Sequence, residues 1–468
     1  MWTDWKVYER GGAIFSALEP HTDWFKRRGA QGREYYNVDR AFFGFKDEHL
    51  YWCYGQPEYR DNGLKWNKRW ITQGTEGSFF KAARERYAVC RKYLLALLDV
   101  PLPKDAKGLL ARFDKIHELL LLHTRTLGIA IDAFDDYFSE VCAKQLRGAG
   151  YGQVVEDKED WAILQQAAYR SVVMQYKAEI QSPNLRRLDL REIWKQYFWL
   201  TMGWSGTKPL SHADILKEMR KVKEKRVELL QYAVKIANAR QAMIRKWKIP
   251  AQIIQPYLRV LDACARLHDE RKEIQMRTLY AIDEVRTAAA KRYRVPMRDV
   301  QMLTVEETRQ FIRTGKFPRA IVAKRRRGYC AKFEQGKIVF EKYGQAAWKA
   351  IDQELAMPNT ARQEVKGVIA SRGYAKGRAV VTDDPKEAMR LIRKGDILIT
   401  SMTTPDFVLA MKKAGGVVTN EGGVTVHAAI MSREFGIPCI TGTVHATHLF
   451  KTGDHVEVDA QRGMVRKL

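Results

Sequence analysis

What most constrains the fold of this chain is a change of period near residue 365. Upstream, apolar residues recur every three or four positions, the spacing of one buried helix face. This holds over Phe79–Leu98 and Leu109–Phe138. From Ser211 to Trp247 it runs for ten turns, through Ile215, Met219, Val222, Leu229, Ala233 and Ile236, with Ser211 as N-cap. A further helix is predicted from Tyr257 to Tyr293, ending before Val295-Pro296. Downstream of Val365 the pattern becomes short β-branched runs at Arg378–Thr382, Asp396–Thr400, Gly416–Thr419, Ile437–Thr441 and His455–Asp459. Helical stretches alternate with them, at Pro385–Arg393, Thr404–Ala414 and Thr425–Phe435. Long amphipathic helices imply a bundle. Strand–helix alternation implies a compact α/β domain of about 100 residues.

Two further regions frame these. The first 75 or so residues are crowded with aromatics, including Trp2, Trp5, Trp24, Phe42, Phe43, Phe45, Trp52, Trp66 and Trp70. Turn signals at Gly44, Gly55 and Asp61-Asn62-Gly63 break them into short runs, which predict strands and hairpins. Aromatics serve mainly as core, so a cap packed on the helices is expected. Residues 304–355 are mixed, opening on a capping box at Thr304-Val305-Glu306-Glu307. Met357-Pro358-Asn359-Thr360 reads as a linker. With 468 residues, about three domains are expected. The predicted boundaries are an aromatic-rich α+β cap at 1–77, a helical body at 78–356, a linker at 357–366 and an α/β domain at 367–468.

Charge narrows the partners. The chain carries a formal net charge of +26. Residues 366–468 hold 15 Lys and Arg against 10 Asp and Glu, so +21 lies upstream in the helical part. Anionic partners are expected: phosphates, nucleotides or nucleic acid. The six cysteines lie more than thirty residues apart with no CxxC unit, which excludes zinc-ribbon and thioredoxin-like readings. The polar start and the lack of an apolar run of about 18 residues point to a cytoplasmic protein without membrane contact.

One segment carries chemistry, Thr419 to Pro438. A strand ends at Thr419, Gly422-Gly423 allow a tight backbone path, and a helix begins near Thr425 with His427 in its first turn. Gly436 closes that helix and Pro438 prevents its continuation. The amides and dipole of a helix N-terminus stabilise a phosphate. The same dipole disfavours the imidazolium and keeps the ring in its nucleophilic neutral form. Small Ala428 and Ala429 are expected to leave the ring accessible.

These residues resemble the swivelling phosphohistidine (mobile) domain of phosphoenolpyruvate-utilising enzymes. The resemblance is carried by Thr404-Pro405-Asp406, Met411, Gly416-Val417-Val418-Thr419, Gly422-Gly423, Thr425, His427-Ala428-Ala429-Ile430, Arg433-Glu434, Gly436-Ile437-Pro438 and Thr441-Gly442. Gly367 to Gly373 resembles the family's entry segment and Gly453 to Asp459 its closing strand. Val426 stands where the family has serine, and Ser432 where it has alanine. The resemblance implies that His427 is transiently phosphorylated, that Gly422, Gly423 and Thr425 support the phosphate, and that Arg433 and Glu434 are structural. Residues 261–317, with Arg266-Leu267-His268-Asp269-Glu270-Arg271-Lys272, resemble the helical segment before the mobile domain in rifampicin phosphotransferase and phosphoenolpyruvate synthase.

The expected architecture is therefore α + α/β multidomain: a long-helix bundle, an aromatic-rich cap and a C-terminal swivelling domain. The sequence shows neither an ATP-grasp pattern nor a P-loop, and the family's TIM barrel is not in it. A phosphotransferase component is expected, relaying phosphoryl from a nucleotide- or phosphoenolpyruvate-derived donor to a small-molecule acceptor on the helical body. The resemblance implies Mg²⁺ and ATP, placed on an ATP-grasp-type donor subunit, with no cofactor or metal bound by this chain. The alternative is a non-catalytic basic module that binds nucleic acid or nucleotides. Three other groups are weighed as structural: the carboxylates of Asp132, Asp135 and Asp136, the pair His445 and His448 at metal-ligand spacing, and the basic run Lys324–Arg327, read as a solvated face.

Overall fold

The computed structural model describes residues 5–10, 40–46, 49–127, 129–182, 190–202, 209–220, 226–335, 337–355, 364–404, 407–423 and 426–468. They fold as α plus α/β, as the change of period predicts. The strands in chain order are β1 (Trp5–Arg10), β2 (Arg40–Lys46), β3 (His49–Gly55), β4 (Tyr329–Glu334), β5 (Lys337–Tyr343), β6 (Glu364–Lys366), β7 (Val368–Ser371), β8 (Tyr374–Val381), β9 (Ile397–Thr400), β10 (Gly416–Thr419), β11 (Cys439–Thr441), β12 (His455–Asp459) and β13 (Met464–Lys467). The chain divides into two compact units. The smaller comprises residues 1–12, 51–53 and 353–468, the larger 13–50 and 54–352.

The smaller unit is built on an eight-stranded sheet of order β6-β13-β12-β8-β9-β10-β11-β7. Its centre is parallel: β8 pairs with β9, β9 with β10 and β10 with β11. The flanks, β7 on β11 and β12 on β8, are antiparallel. All four residues of β9 and of β10 are buried, as expected of central parallel strands covered on both faces. Alternate residues feed two cores. Leu398 and Val417 join Phe407, Met411, Ala428 and Ala429 on one side. Ile397, Ile399 and Val418 join Phe450, Val456 and Val458 on the other. Full burial of each large side chain contributes about 1.5–3 kcal/mol.

The larger unit is organised around one helix, Ala251–Tyr293. At 43 residues it is about 65 Å long. It begins six residues before Tyr257, runs through Pro256, and closes on Arg294 in the left-handed conformation. Helices Ser78–Leu97 and Ala106–Leu127 pack against it. The capping box expected at Thr304–Glu307 is formed, and Ser211, expected as an N-cap, also closes a capping box, with Asp214.

Several expectations change. The Leu109–Phe138 pattern is two helices, Ala106–Leu127 and Ile129–Gly148. The ten-turn pattern from Ser211 holds two described helices, His212–Met219 and Arg226–Lys246. Within the aromatic-rich segment, Gln56–Gln73 is an 18-residue helix rather than a hairpin. Pro57 starts it, and Tyr59, Gly63, Asn67, Trp70 and Ile71 bury at helical spacing. Gly63 is not a turn residue: a Cβ there would lie 2.2 Å from the Tyr137 ring. Trp70 stacks on Phe79 at 4.5 Å. The segment is also not a separate cap, because β2 pairs antiparallel with β4, and β4 with β5, joining residues 40–46 to 329–343 in one sheet. Phe43 meets Phe333 across that ladder at 5.6 Å. The expected linker ends early: Glu364–Lys366 is β6, paired with β13 because Val365 buries in the second core. Residues 356–363 lie outside the described residues.

Candidate functional site

The carboxyl ends of β9 and β10 lie side by side in the parallel sheet, in register from Gly416↔Ile397 to Thr419↔Thr400. Ligands of open α/β sheets bind outside such strand ends. Each strand runs into a loop here. The loop after β9 carries Thr403, and the loop after β10 leads to the helix His427–Phe435. Between them Thr403 Oγ1 lies 2.9 Å from His427 Nδ1. Thr403 is buried and His427 half-buried.

His427 is the first residue of a nine-residue helix whose N-cap is Val426 in extended conformation. First-turn amides have no partner within a helix, so the ring stands where an anion would be stabilised. Gly436, at φ +64°, closes the other end with its amide on Ser432 and Arg433 carbonyls.

The approach to the helix is fixed by neutral groups. Asn420 and Glu421 donate their amides to the Thr400 and Ser401 carbonyls at 3.1 and 3.0 Å. Thr441 Oγ1 donates to the Gly423 carbonyl at 3.2 Å, and Thr443 Oγ1 to the Thr419 carbonyl at 2.9 Å. Gly422 sits at φ +100°, and a Cβ there would lie 2.8 Å from the Val426 methyls. Only glycine combines that conformation with that closeness. Below the β9 loop, Asp383 Oδ1 accepts from Thr400 Oγ1, Ser401 N and Ser401 Oγ at 2.8, 2.6 and 2.7 Å. The loop that presents Thr403 is thereby held at its base.

The sequence-predicted residues are distributed as follows. Gly422, Gly423 and His427 belong to one loop and helix start. Thr425 lies outside the described residues. Arg433 donates Nη1 to the Ala370 carbonyl at 2.8 Å, tying the His427 helix to β7. Glu434 is exposed. Ala428 and Ala429 are fully buried in the core, so their small size serves packing rather than access to the ring. Among the described residues of 404–414, Val408–Met411 forms a helical turn. Thr403 was missed. It lies 24 positions before His427, and its only signal is a hydroxyl residue between a buried strand and Pro405-Asp406.

Of the other candidates, His445 is held near 4 by burial and by neighbouring His448, so it is neutral at pH 7. The side chains of Asp132, Asp135 and Asp136 lie outside the description. The basic run is not simply solvated: Arg325 is buried and bonded to both carboxylate oxygens of Glu307, and Arg326 pairs with Asp299 at 2.7 Å. Among the described residues no three His, Cys, Asp or Glu side chains converge as a metal site. All six cysteines are buried and unbridged. No described helix is long and apolar enough to cross a membrane.

Residues 392–463 match the family described as "PEP-utilising enzyme, mobile domain". The phosphoenolpyruvate synthase of Pyrococcus furiosus is 54% identical over 103 residues, 22% of this chain and 12% of that protein. The probable phosphoenolpyruvate synthase of Methanothermobacter thermautotrophicus is 54% identical over 101 residues, 22% of this chain and 15% of its own length. That of Archaeoglobus fulgidus is 45% identical over 117 residues, covering 25% and 15%. The chain thus spans a small fraction of the length of the curated relatives it matches.

Proposed function

We propose, from a chain whose residues 392–463 match the phosphoenolpyruvate-utilising enzyme mobile domain, that His427 is a transient phosphoryl carrier. The single observation that carries this reading is the pairing of Thr403 Oγ1 with His427 Nδ1 at a helix N-terminus. In the reactive tautomer Nδ1–H donates to the threonine oxygen, which leaves the lone pair on Nε2. The Nε2 lone pair attacks the phosphorus of the donor in line. The P–O bond to the leaving group breaks, and the leaving oxygen takes the electron pair. The phosphoryl oxygens are then stabilised by the first-turn amides and the helix dipole. In the second step an acceptor hydroxyl oxygen attacks phosphorus, its proton passes to water, and the P–N bond breaks with its electron pair returning to Nε2. The proton on Nδ1 stays in place throughout. Splitting one transfer into two steps lets donor and acceptor occupy separate sites.

In this reading the donor is ATP–Mg²⁺ on an ATP-grasp-type component, or phosphoenolpyruvate, and the acceptor is a small molecule on the helical unit. The chain's own part is to hold, orient and shield the carrier.

Intact-mass measurement after incubation with ATP–Mg²⁺ or phosphoenolpyruvate, alone and with host lysate, tests this. The expected result is an acid-labile adduct of one phosphate that is absent in His427→Ala and slow to form in Thr403→Val. An adduct only with lysate supports a separate donor component. An adduct with the protein alone places the donor site in this chain. No adduct under any condition overturns the proposal.

A further inference from the structure

The segment from the end of the long helix to the start of β4, residues 291–327, holds 12 Lys and Arg against 3 Asp and Glu. Its interior-facing charges are spent on structure. Arg325 is bonded to Glu307, and Arg309 to Asp114 at 2.6 Å. The rest point outward. Lys291, Arg292 and Arg294 are exposed at the helix end, and Arg313, Lys316 and Arg319 beyond the next helix. Arg298, Lys324, Arg326 and Arg327 are exposed as well, whereas Glu306 is the one exposed acid of the segment.

These cations belong to one folded piece. Tyr293 donates its hydroxyl to the Ile312 carbonyl at 2.9 Å, which brings the 291–294 and 313–316 groups together. Phe311 packs on Tyr293 at 5.2 Å and on Phe317 at 5.5 Å, and Arg319 lies over the Phe317 ring at 6.0 Å. The Arg326–Asp299 pair joins the 324–327 run to Arg298.

We propose that this surface binds the phosphate backbone of a nucleic acid, independently of sequence and of the His427 chemistry. Seven of the ten exposed cations are arginines, whose fork matches phosphate oxygens and whose charge is fixed. The large exposed apolar residues of the chain all lie outside 291–327, so the patch has no wedge to insert into a lipid surface. A dense basic surface of ten exposed cations against one exposed acid, Glu306, is the electrostatic footprint of backbone recognition.

Binding of a labelled 30-mer single-stranded RNA and a 30-base-pair DNA duplex, measured from 50 to 200 mM salt, tests this. For five phosphate contacts on a single strand, affinity should fall about 100-fold over that range. The triple variant Arg313→Glu, Lys316→Glu, Arg319→Glu should weaken binding at least about tenfold and lower the salt slope by about 2. The neutral triple to Gln should do so less strongly with the same thermal melt. Reversal of Lys394, Lys412 and Lys413 in the smaller unit should leave affinity unchanged. Which probe binds more tightly assigns RNA or duplex. The proposal is overturned by no binding at 50 mM salt, by the triple variant retaining affinity and slope, or by equal binding of polyglutamate, which would point to an acidic protein.

Discussion

The two units bury their polar groups in opposite ways. Inside the smaller unit the buried polar side chains are mostly neutral: Thr400, Ser401, Thr403, Thr419, Asn420, Thr441 and Thr443. Most of them bond to main chain around the two strand ends. Inside the larger unit they are mostly charged: Asp160, Arg240, Glu273, Arg277, Asp283, Arg286 and Arg325. Hydroxyls bonded to main chain fix the two loops with neutral groups, and one carboxylate, Asp383, anchors the base of the β9 loop through Thr400 and Ser401. In the larger unit buried charges pair both within a helix, as Arg277 with Glu273, and between helices, as Arg240 with Asp262.

The contrast predicts unequal costs. Arg277 is buried and donates to Glu273 at 2.7 Å and to the carbonyls of Lys195 and Gln196 at 2.7 Å each. Glu273 also accepts from Arg91 at 3.1 Å and from Tyr87. Arg277→Ala removes a cation from a buried network and should cost the larger unit about 3–5 kcal/mol in urea denaturation. Thr441→Val, which deletes one hydroxyl bond at similar volume, should cost the smaller unit only about 1 kcal/mol. Equal losses in the two variants would erase the distinction.

Between these lies Gly422. Alanine there must adopt φ +100° and crowd the Val426 methyls. The expected loss is about 1–3 kcal/mol of stability in the smaller unit, with slower phosphorylation of His427. Val426→Ala in the same chain should recover the steric part but not the conformational part. Full recovery would mean that the positive φ carries no strain. No recovery would mean that the loop is set by Thr441 and Gly442 instead.

How much of this was legible follows from sequence separation. β9, β10 and the His427 helix, with Gly436 and Pro438 after it, are read from neighbours within about five positions. Thr403 was not, because its link to His427 spans 24 residues and no spacing rule connects two loops. In the larger unit, Arg240 meets Asp262 and Arg325 meets Glu307 at separations of 22 and 18, each on a different helix from its partner. Charge counts gave the sign of that region but not which arginines turn inward. Asp61-Asn62-Gly63 carried a turn signature, yet the glycine is there for the Tyr137 ring. Composition alone cannot separate a glycine needed for backbone freedom from one needed for close packing.

The smallest expected effects separate the units by the sign of their response to pH. In the larger unit, burial pushes the Glu270 carboxyl up to about 7 from an ordinary 4.5, against the pull of Arg266. Its folded-state value is raised, so its contribution is fully present below about pH 4.5 and is lost as pH rises through 7. In the smaller unit, the Tyr374 hydroxyl, with Arg466 and Lys376, holds Glu457 near 2. Its folded-state value is depressed, so its contribution is present above about pH 4.5 and lost as pH falls through 2. Thermal unfolding from pH 3 to 8 should therefore show shifts on the order of a few degrees and of opposite sign. Glu270→Gln should flatten the loss of stability between pH 5 and 7.5, and Glu457→Gln the loss below pH 4.5. If Glu270→Gln leaves the neutral-side slope intact, the carboxyl is ionised in the folded chain. Burial of charge in the larger unit would then extend to one more group, and the contrast between the two interiors would be sharper than the one drawn from its ion pairs alone.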